Sequence, residues 1–407
     1  MRLLTAFLAI AISAPTALAA QRSSRPITPK SRDSAGVRIL EHSADALDRA
    51  PLLSLVPGPL AIVGKNDTTI DLSKVYSEVL VMHDGSIVFF DDGSVQIVSP
   101  DGTRRQRIGR AGAGPKEFRN ADVARGRGDT ILVTDLGNSR IAWVTPANGV
   151  VRTRALKLNR EGYAFGPIAQ FGHDTLIMGI AEYTAQFTKP GHRVTFPVGM
   201  LTGASDSIRV ILPLEGGEMA PMPAALAKAR SGFTTVAVRY PPKPVVVDWG
   251  KGFLAVRPDH WKLDLYHANG TLASSVRVPL RSEPVTSQVR DRDVEGALAV
   301  MQRRASTTNR PFDAAAERTH LRALPYPDSL PAFADVKTSA TGVAWVREQR
   351  LAGDTTWTYT AVAVDGRILG RLTGSGHIPA AFGDDRVVLR DEDSDGLITW
   401  RVMRIKW

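Results

Sequence analysis

One unit recurs along this chain and limits what it can fold into: an apolar run, a turn, a second apolar run, a DG or NG turn, then a third run. Its first copy, DGSIVFFDDGSVQIVSPDGTRRQRIG, fills 84–109, with apolar runs at 87–90 and 95–98. Three short runs joined by tight turns read as an antiparallel meander, and Asp-Gly or Asn-Gly supplies the positive φ such turns need. The order returns at 128–158, where Asn148-Gly149 takes the turn. A third copy starts at HDTLIMGI (173–180) and ends at SIRVILPL (207–214), around a longer and less regular hairpin. Copies follow at 250–280, again with NG, at 341–372, and for most of a sixth at 382–407.

A single meander cannot hide its apolar face, so units repeated about every 50–65 residues must cover one another. The expected fold is all-β: a six-bladed β-propeller of four-stranded antiparallel blades. Alternation inside the units agrees, with Trp261, Leu263 and Leu265 on one face and Lys262, Asp264 and Tyr266 on the other. A pair of β-sandwiches would account for the strands but not for the recurring place of the DG or NG turn. Closing the ring requires a strand from the N-terminal side, and GVRILE (36–41) or LAIVG (60–64) is expected to complete the last blade beside LITWRVMRIKW.

The period breaks at about 285–332, between the fourth and fifth units. There Val289, Val294, Ala297, Leu298 and Met301 recur at helical spacing. This helical insertion is expected on the rim, where it caps a channel mouth, docks a partner or simply packs.

At the other end, Met1-Arg2, the apolar run 3–12 and Ala17 to Ala19 have the order of a signal peptide, so 1–19 are expected to be removed. Residues 20–35 read as a flexible tether, and 36–407 as the propeller. The destination is the periplasm or the exterior, with no transmembrane span in the product and a monomer as the expected state. The chain has no Cys, which excludes disulfides, thiolate metal sites and a lipoprotein anchor. Its formal charge of +10 is scattered rather than gathered into an Arg/Lys block with aromatics. That suits contact with anionic glycans or lipid head groups and speaks against a nucleic-acid groove.

RIGRAGAGPKEF (107–118) raises the question of a phosphate loop, since Gly109 and Gly114 have Walker spacing. Pro115 removes an N–H where the cradle needs one, and Glu117 stands where the hydroxyl belongs. The run reads instead as an inter-blade loop: Gly109, Gly112 and Gly114 allow the turn, Pro115 fixes its exit, and Phe118 anchors it between blades.

IGRAGAGPKEF resembles the G-R-x-G-x-G-P-x-E-F element of bacterial exported six-bladed propellers of NHL/TolB-like type, and TDLGNSRI (134–141) resembles the NHL repeat. DSAGVRILE, LPAF followed by GVAWV, and FGDDRVVL extend the resemblance over nearly all of 33–407. It implies an exported propeller and no particular activity. Related lactonases and sugar-acid hydrolases hold a divalent cation in the central channel with Glu, Asn and Asp from several blades. Glu117, Asp135, Asn138 and Arg140 lie near strand or loop ends, where solvated polar turns account for them.

The sharpest metal pattern is DEDSDG: Asp391, Asp393 and Asp395 in D-x-D-x-D-G place three carboxylates on a tight loop suited to Ca²⁺. Thr399 and Val402 stand where the ninth and closing ligands would be, so a solvated hairpin tip is the competing explanation. The eight His have no zinc spacing, and no G-x-S-x-G elbow occurs. Trp249, Trp261, Trp345, Trp357 and Trp400 read as packing rather than a sugar platform. The expected role is a non-catalytic binding or protein-interaction scaffold for an unknown protein, small-molecule or glycan ligand. A metal-dependent hydrolase or lyase of the channel and a structural part of an envelope assembly are the alternatives.

Overall fold

Ring closure is visible first in hydrophobic clusters that lie between successive sheets. The computed structural model describes residues 25–64, 70, 72, 75, 78–156, 163–181, 193–203, 207–227, 234–280, 282–307, 310–392 and 397–407. Phe118, Val123 and Val133 join the 80–108 meander to the 121–155 meander. Leu132 and Trp143 pack against Leu176 and Leu201 of the next sheet, and Ile177 and Val198 against Phe253 and Ala255 of the one after. Leu254, Trp261 and Leu263 then meet Val336, Val346 and Ile368, while Trp345 and Tyr359 meet Phe382 and Val387. The last cluster returns to the start: Trp400 and Val402 pack on Ile87 and Phe89. The Phe89 and Trp400 rings meet edge-on with centroids 4.9 Å apart.

The protein is an all-β propeller. Its sheets are antiparallel meanders, with strand order following chain order at 80–108, 121–155, 245–277 and 335–375. The first strands touch in a closed cycle: Leu80–Val81, Ala121–Arg125, Tyr163–Phe171, Val245–Trp249, Asp335–Thr338 and Ala381–Phe382, which returns to Leu80–Val81. These strands surround a central channel.

The two N-terminal segments part company. Ala61–Val63 pairs antiparallel with Ile398–Lys406, bringing Val63 opposite Trp400. Val37–Glu41 pairs in parallel with Leu272–Arg277, on the outer edge of the 245–277 sheet. Between them, Leu52–Leu55 bridges Ile368–Ser375 and Ile398–Lys406. Lys30–Ser34, expected within a flexible tether, is a strand paired with Val37–Glu41. The reason is a two-residue hairpin turn at Ala35 and Gly36 with φ of 53° and 80°, closed by the Gly36 N–H donating to Asp33 Oδ1 at 3.1 Å.

The insertion forms two helices, Ser287–Thr307 and Ala314–Ala323. Asp313 caps the second by accepting from the Ala315 and Ala316 N–H groups. The stripe Val294, Ala297 and Leu298 is buried against Leu321 and Ala352 rather than offered to a partner. Val289 packs separately with Leu330 and Leu351. No helix among the described residues is long and apolar enough to cross a membrane.

Candidate functional site

Around the 109–118 loop the chain fills its own glycine cradle. The Gly114 N–H donates to Glu117 Oε2 at 2.8 Å, and Arg110 Nε donates to Glu117 Oε1 at 2.8 Å. These two donors hold the Glu117 carboxyl below its usual value. Gly112 has a φ of 152°, which L side chains rarely adopt, and a Cβ there would also crowd that carboxylate at 2.2 Å. Phe118 is fully buried between the sheets, and a Cβ at Gly109 would sit 2.6 Å from its ring.

Residues 135–140 do not form the solvated polar turn expected from the sequence. Asp135 is fully buried and pairs with Arg140 Nε at 3.1 Å. It also accepts from Asn138 Nδ2 at 2.7 Å and from the Arg119 N–H at 3.1 Å. Asn138 and Arg140 in turn donate to the Gly112 and Gly114 carbonyls at 3.0 and 2.9 Å, and Arg140 also reaches the Glu117 carbonyl. The charged turn is thus a clamp on the preceding loop, satisfying carbonyls that the glycine turn leaves open.

In the channel a guanidinium forms a crossbar. Arg125 Nη2 donates to the Thr338 carbonyl at 2.6 Å, Nε donates to the Val81 carbonyl at 3.3 Å, and Nη1 lies 3.5 Å from Asp248 Oδ1. Thr338 Oγ1 donates to the same Asp248 oxygen at 2.9 Å, so three further first strands are tied to Arg125. Cavities of about 560 and 650 Å³ lie on the two sides, both lined by Arg125 and Asp248.

The smaller cavity opens on Glu78, Asp122, Asp335 and Lys337. Lys337 Nζ stands 3.5 Å from Glu78 Oε2. Burial pushes the Asp335 carboxyl up, against the pull of Lys337 and Arg347. Asp122 is also pushed up, by desolvation from the channel wall and by the neighbouring Glu78, although the Glu78 and Val123 N–H groups bind it at 2.8 Å. Among the described residues no three His, Asp or Glu side chains gather in metal-holding geometry.

Above this mouth stands the helical insertion. Its anchor is Asp293, fully buried, which accepts from Tyr326 Oη at 2.6 Å and from the Ala352 N–H at 2.9 Å, and also binds Arg239 and Tyr240. Beside it, helix and ring meet backbone to backbone: a Cβ on Gly296 would lie 1.8 Å from the Ala352 carbonyl oxygen. Between helix and ring lies a cleft of about 1440 Å³, which shares Lys243, Ala334 and Arg347 with the channel mouth.

Of the acidic hairpin, Asp391 is engaged by Arg401, whose Nη2 donates to Oδ1 at 2.9 Å. Asp393 and Asp395 lie outside the described residues. Trp249, Trp261, Trp345, Trp357 and Trp400 are all buried, so none forms a platform for sugars.

No family model matches the chain, and no curated protein does. The likeness to NHL and TolB-type proteins is therefore one of motif. Among solved structures, a protein described as exported from Bacteroides fragilis is 11% identical, covering 91% of this chain and all of its own, with a TM-score of 0.48. Regucalcin from Agrobacterium tumefaciens, a calcium-binding protein, is 10% identical over 88% of this chain and 97% of its own, with a TM-score of 0.36. Virginiamycin B lyase from Staphylococcus aureus is 10% identical over 82% and 97%, also with a TM-score of 0.36. At TM-scores below 0.5 these similarities say nothing about activity.

Proposed function

We propose that this chain is an exported propeller of six four-stranded blades, freed of residues 1–19, that binds its ligand without catalysis on the face carrying the helical insertion. The cycle of first strands and the pairing of Ala61–Val63 with the C-terminal strand support the blade count. The Arg125 crossbar carries the functional reading. A cation seeking Asp248 in the channel would have to displace the contacts that Arg125 and Thr338 already make with its Oδ1. A cavity of about 1440 Å³ lies instead under the insertion, beside the channel mouth.

A second reading, a hydrolase or lyase of the channel mouth, draws on Asp122 and Asp335, since carboxyls pushed up in a cleft suit general-acid work. One experiment separates the two. The mature chain is screened by thermal shift against sugars, sugar acids, lactones and small metabolites, with NMR of each stabilising compound before and after incubation. The scaffold reading expects compounds that raise the melting temperature, protect 287–307 from hydrogen exchange and are recovered unchanged. Conversion that disappears in Asp335→Asn would establish the enzyme instead.

A further inference from the structure

Among the described residues, the cleft beneath the helical insertion is lined by Lys243, Arg303, Arg304, Arg347, Arg350 and Arg390, with the carboxylates Asp354 and Glu392. Both walls contribute cations: Arg303 and Arg304 come from the helix, the other four from the ring. The two acids offset part of this charge, Asp354 acting on Arg350 and Glu392 on Arg390. Asp354 Oδ2 accepts the Leu351 N–H at 2.9 Å, and Glu392 lies 3.9 Å from Arg390 and 3.7 Å from His377. Arg347 and Arg390 each bury an Nε–H that has no acceptor among the described residues. Arg350 is pushed below its usual value by burial and by the charge of Arg347, against the pull of Asp354. The repulsion between Arg347 and Arg350, at a junction with a channel, costs free energy that a bound anion would recover.

Met301, Phe333 and Leu351 add apolar surface to the lining, and Gln349, Thr355 and His377 add further polar groups. The helix roofs the cleft and is held by the Asp293 hub, so the space is bounded on both sides. A cavity of about 1440 Å³ takes a small molecule or short oligomer rather than a polymer backbone running through.

We propose that this cleft binds a small molecule carrying two or more phosphate or carboxylate groups on a carbon skeleton, its anionic groups held between the arginines of the helix and those of the ring. The proposal rests on the reading of the insertion-bearing face as the recognition face. Guanidinium groups suit it because they bind either anion through paired N–H donors.

Calorimetric titration of the mature chain with fructose 1,6-bisphosphate and with citrate, at constant ionic strength, tests the site and separates the two anion types. Sulfate at matched ionic strength reports simple screening. One of the two probes is expected to bind with unit stoichiometry and to protect 287–307 from exchange. Arg350→Gln and Arg304→Glu should each weaken it about tenfold, the usual cost of a charge-assisted hydrogen bond. Lys251→Glu, an exposed turn residue outside the cleft, should leave binding unchanged. Arg304 is exposed on the helix, and circular dichroism checks that its variant folds. Absence of binding tighter than about 1 mM by either probe overturns the inference. So does equal binding by the cleft variants and the wild type. A neutral compound that protects 287–307 while both anions fail would sink the anion site alone; protection confined to other surfaces would sink the scaffold reading with it.

Discussion

Arg125 and Thr338 lie 213 residues apart, yet the guanidinium of one donates to the carbonyl of the other at 2.6 Å across the channel. The bond joins opposite parts of the ring, and Asp248 joins it from a third strand. Arg125 is 11% exposed and Asp248 35%, so the ion pair is partly screened while the carbonyl bond is better sheltered. Arg125→Met should lower unfolding stability by about 2 kcal/mol, measured as a fall in the urea midpoint at unchanged slope. An unchanged midpoint would mean that the crossbar does not brace the ring.

The ring itself was legible because DG and NG turns mark most of the meanders, and the need to leave no open edge called for a closing N-terminal strand without choosing between 36–41 and 60–64. The crossbar was not. Its members come from Arg125, Asp248 and Thr338, and nothing local marks any of them. The same holds for the cationic cleft, whose arginines lie between 303 and 390 and meet only when the insertion folds back. Asp135, Asn138 and Arg140 were visible as a motif, but Asn138 and Arg140 donate to backbone carbonyls 26 residues earlier, which no side-chain pattern reveals. Val37–Glu41 was equally ambiguous: a strand by composition, with its neighbour chosen by packing of Leu40 against the 245–277 sheet.

The Asp135 clamp gives a sharper test. Removing one member of a buried ion pair leaves the other charge uncompensated. Asp135→Asn should cost about 3 kcal/mol, while the double variant with Arg140→Met should cost clearly less than the two single losses combined. Simple additivity in that cycle would show that the two side chains act independently.

Gly296 tests how the insertion is seated. A methyl group there would collide with the Ala352 carbonyl, a backbone atom that cannot rotate away. Gly296→Ala should raise hydrogen exchange across 287–307 while leaving the 121–155 sheet as protected as before. Uniform loosening of both regions would contradict a locally docked arm.

For the acidic hairpin, the Arg401 contact already satisfies Asp391. Adding Ca²⁺ or EDTA is therefore expected to leave the melting temperature unchanged, and Asp393→Ala should melt as the wild type does. A calcium-dependent rise lost in that variant would restore a calcium loop at Asp391, Asp393 and Asp395.

Asp293 sets the acid limit of the insertion. Burial pushes its carboxyl up, but the bonds from Arg239, Tyr240, Tyr326 and the Ala352 N–H together outweigh that and hold it below its ordinary 3.8. Burial and the same carboxylate push the Tyr240 and Tyr326 phenols up. A carboxyl lowered in the folded state stabilises it above the unfolded value and loses that contribution as pH falls through the folded one. Asp122 and Asp335, pushed up, act with the opposite sign: their contribution is present at low pH and fades as pH rises through their folded values. The comparison must therefore be between wild type and Asp293→Asn, which cancels the two opposing groups. The stability gap between them should be largest near neutral pH. Below about pH 4 it should shrink by up to about 1.4 kcal/mol per pH unit, the limit for one proton. Urea unfolding followed from pH 7 to pH 3 measures it, and a gap that stays constant over that range would show that the Asp293 charge does not hold the arm.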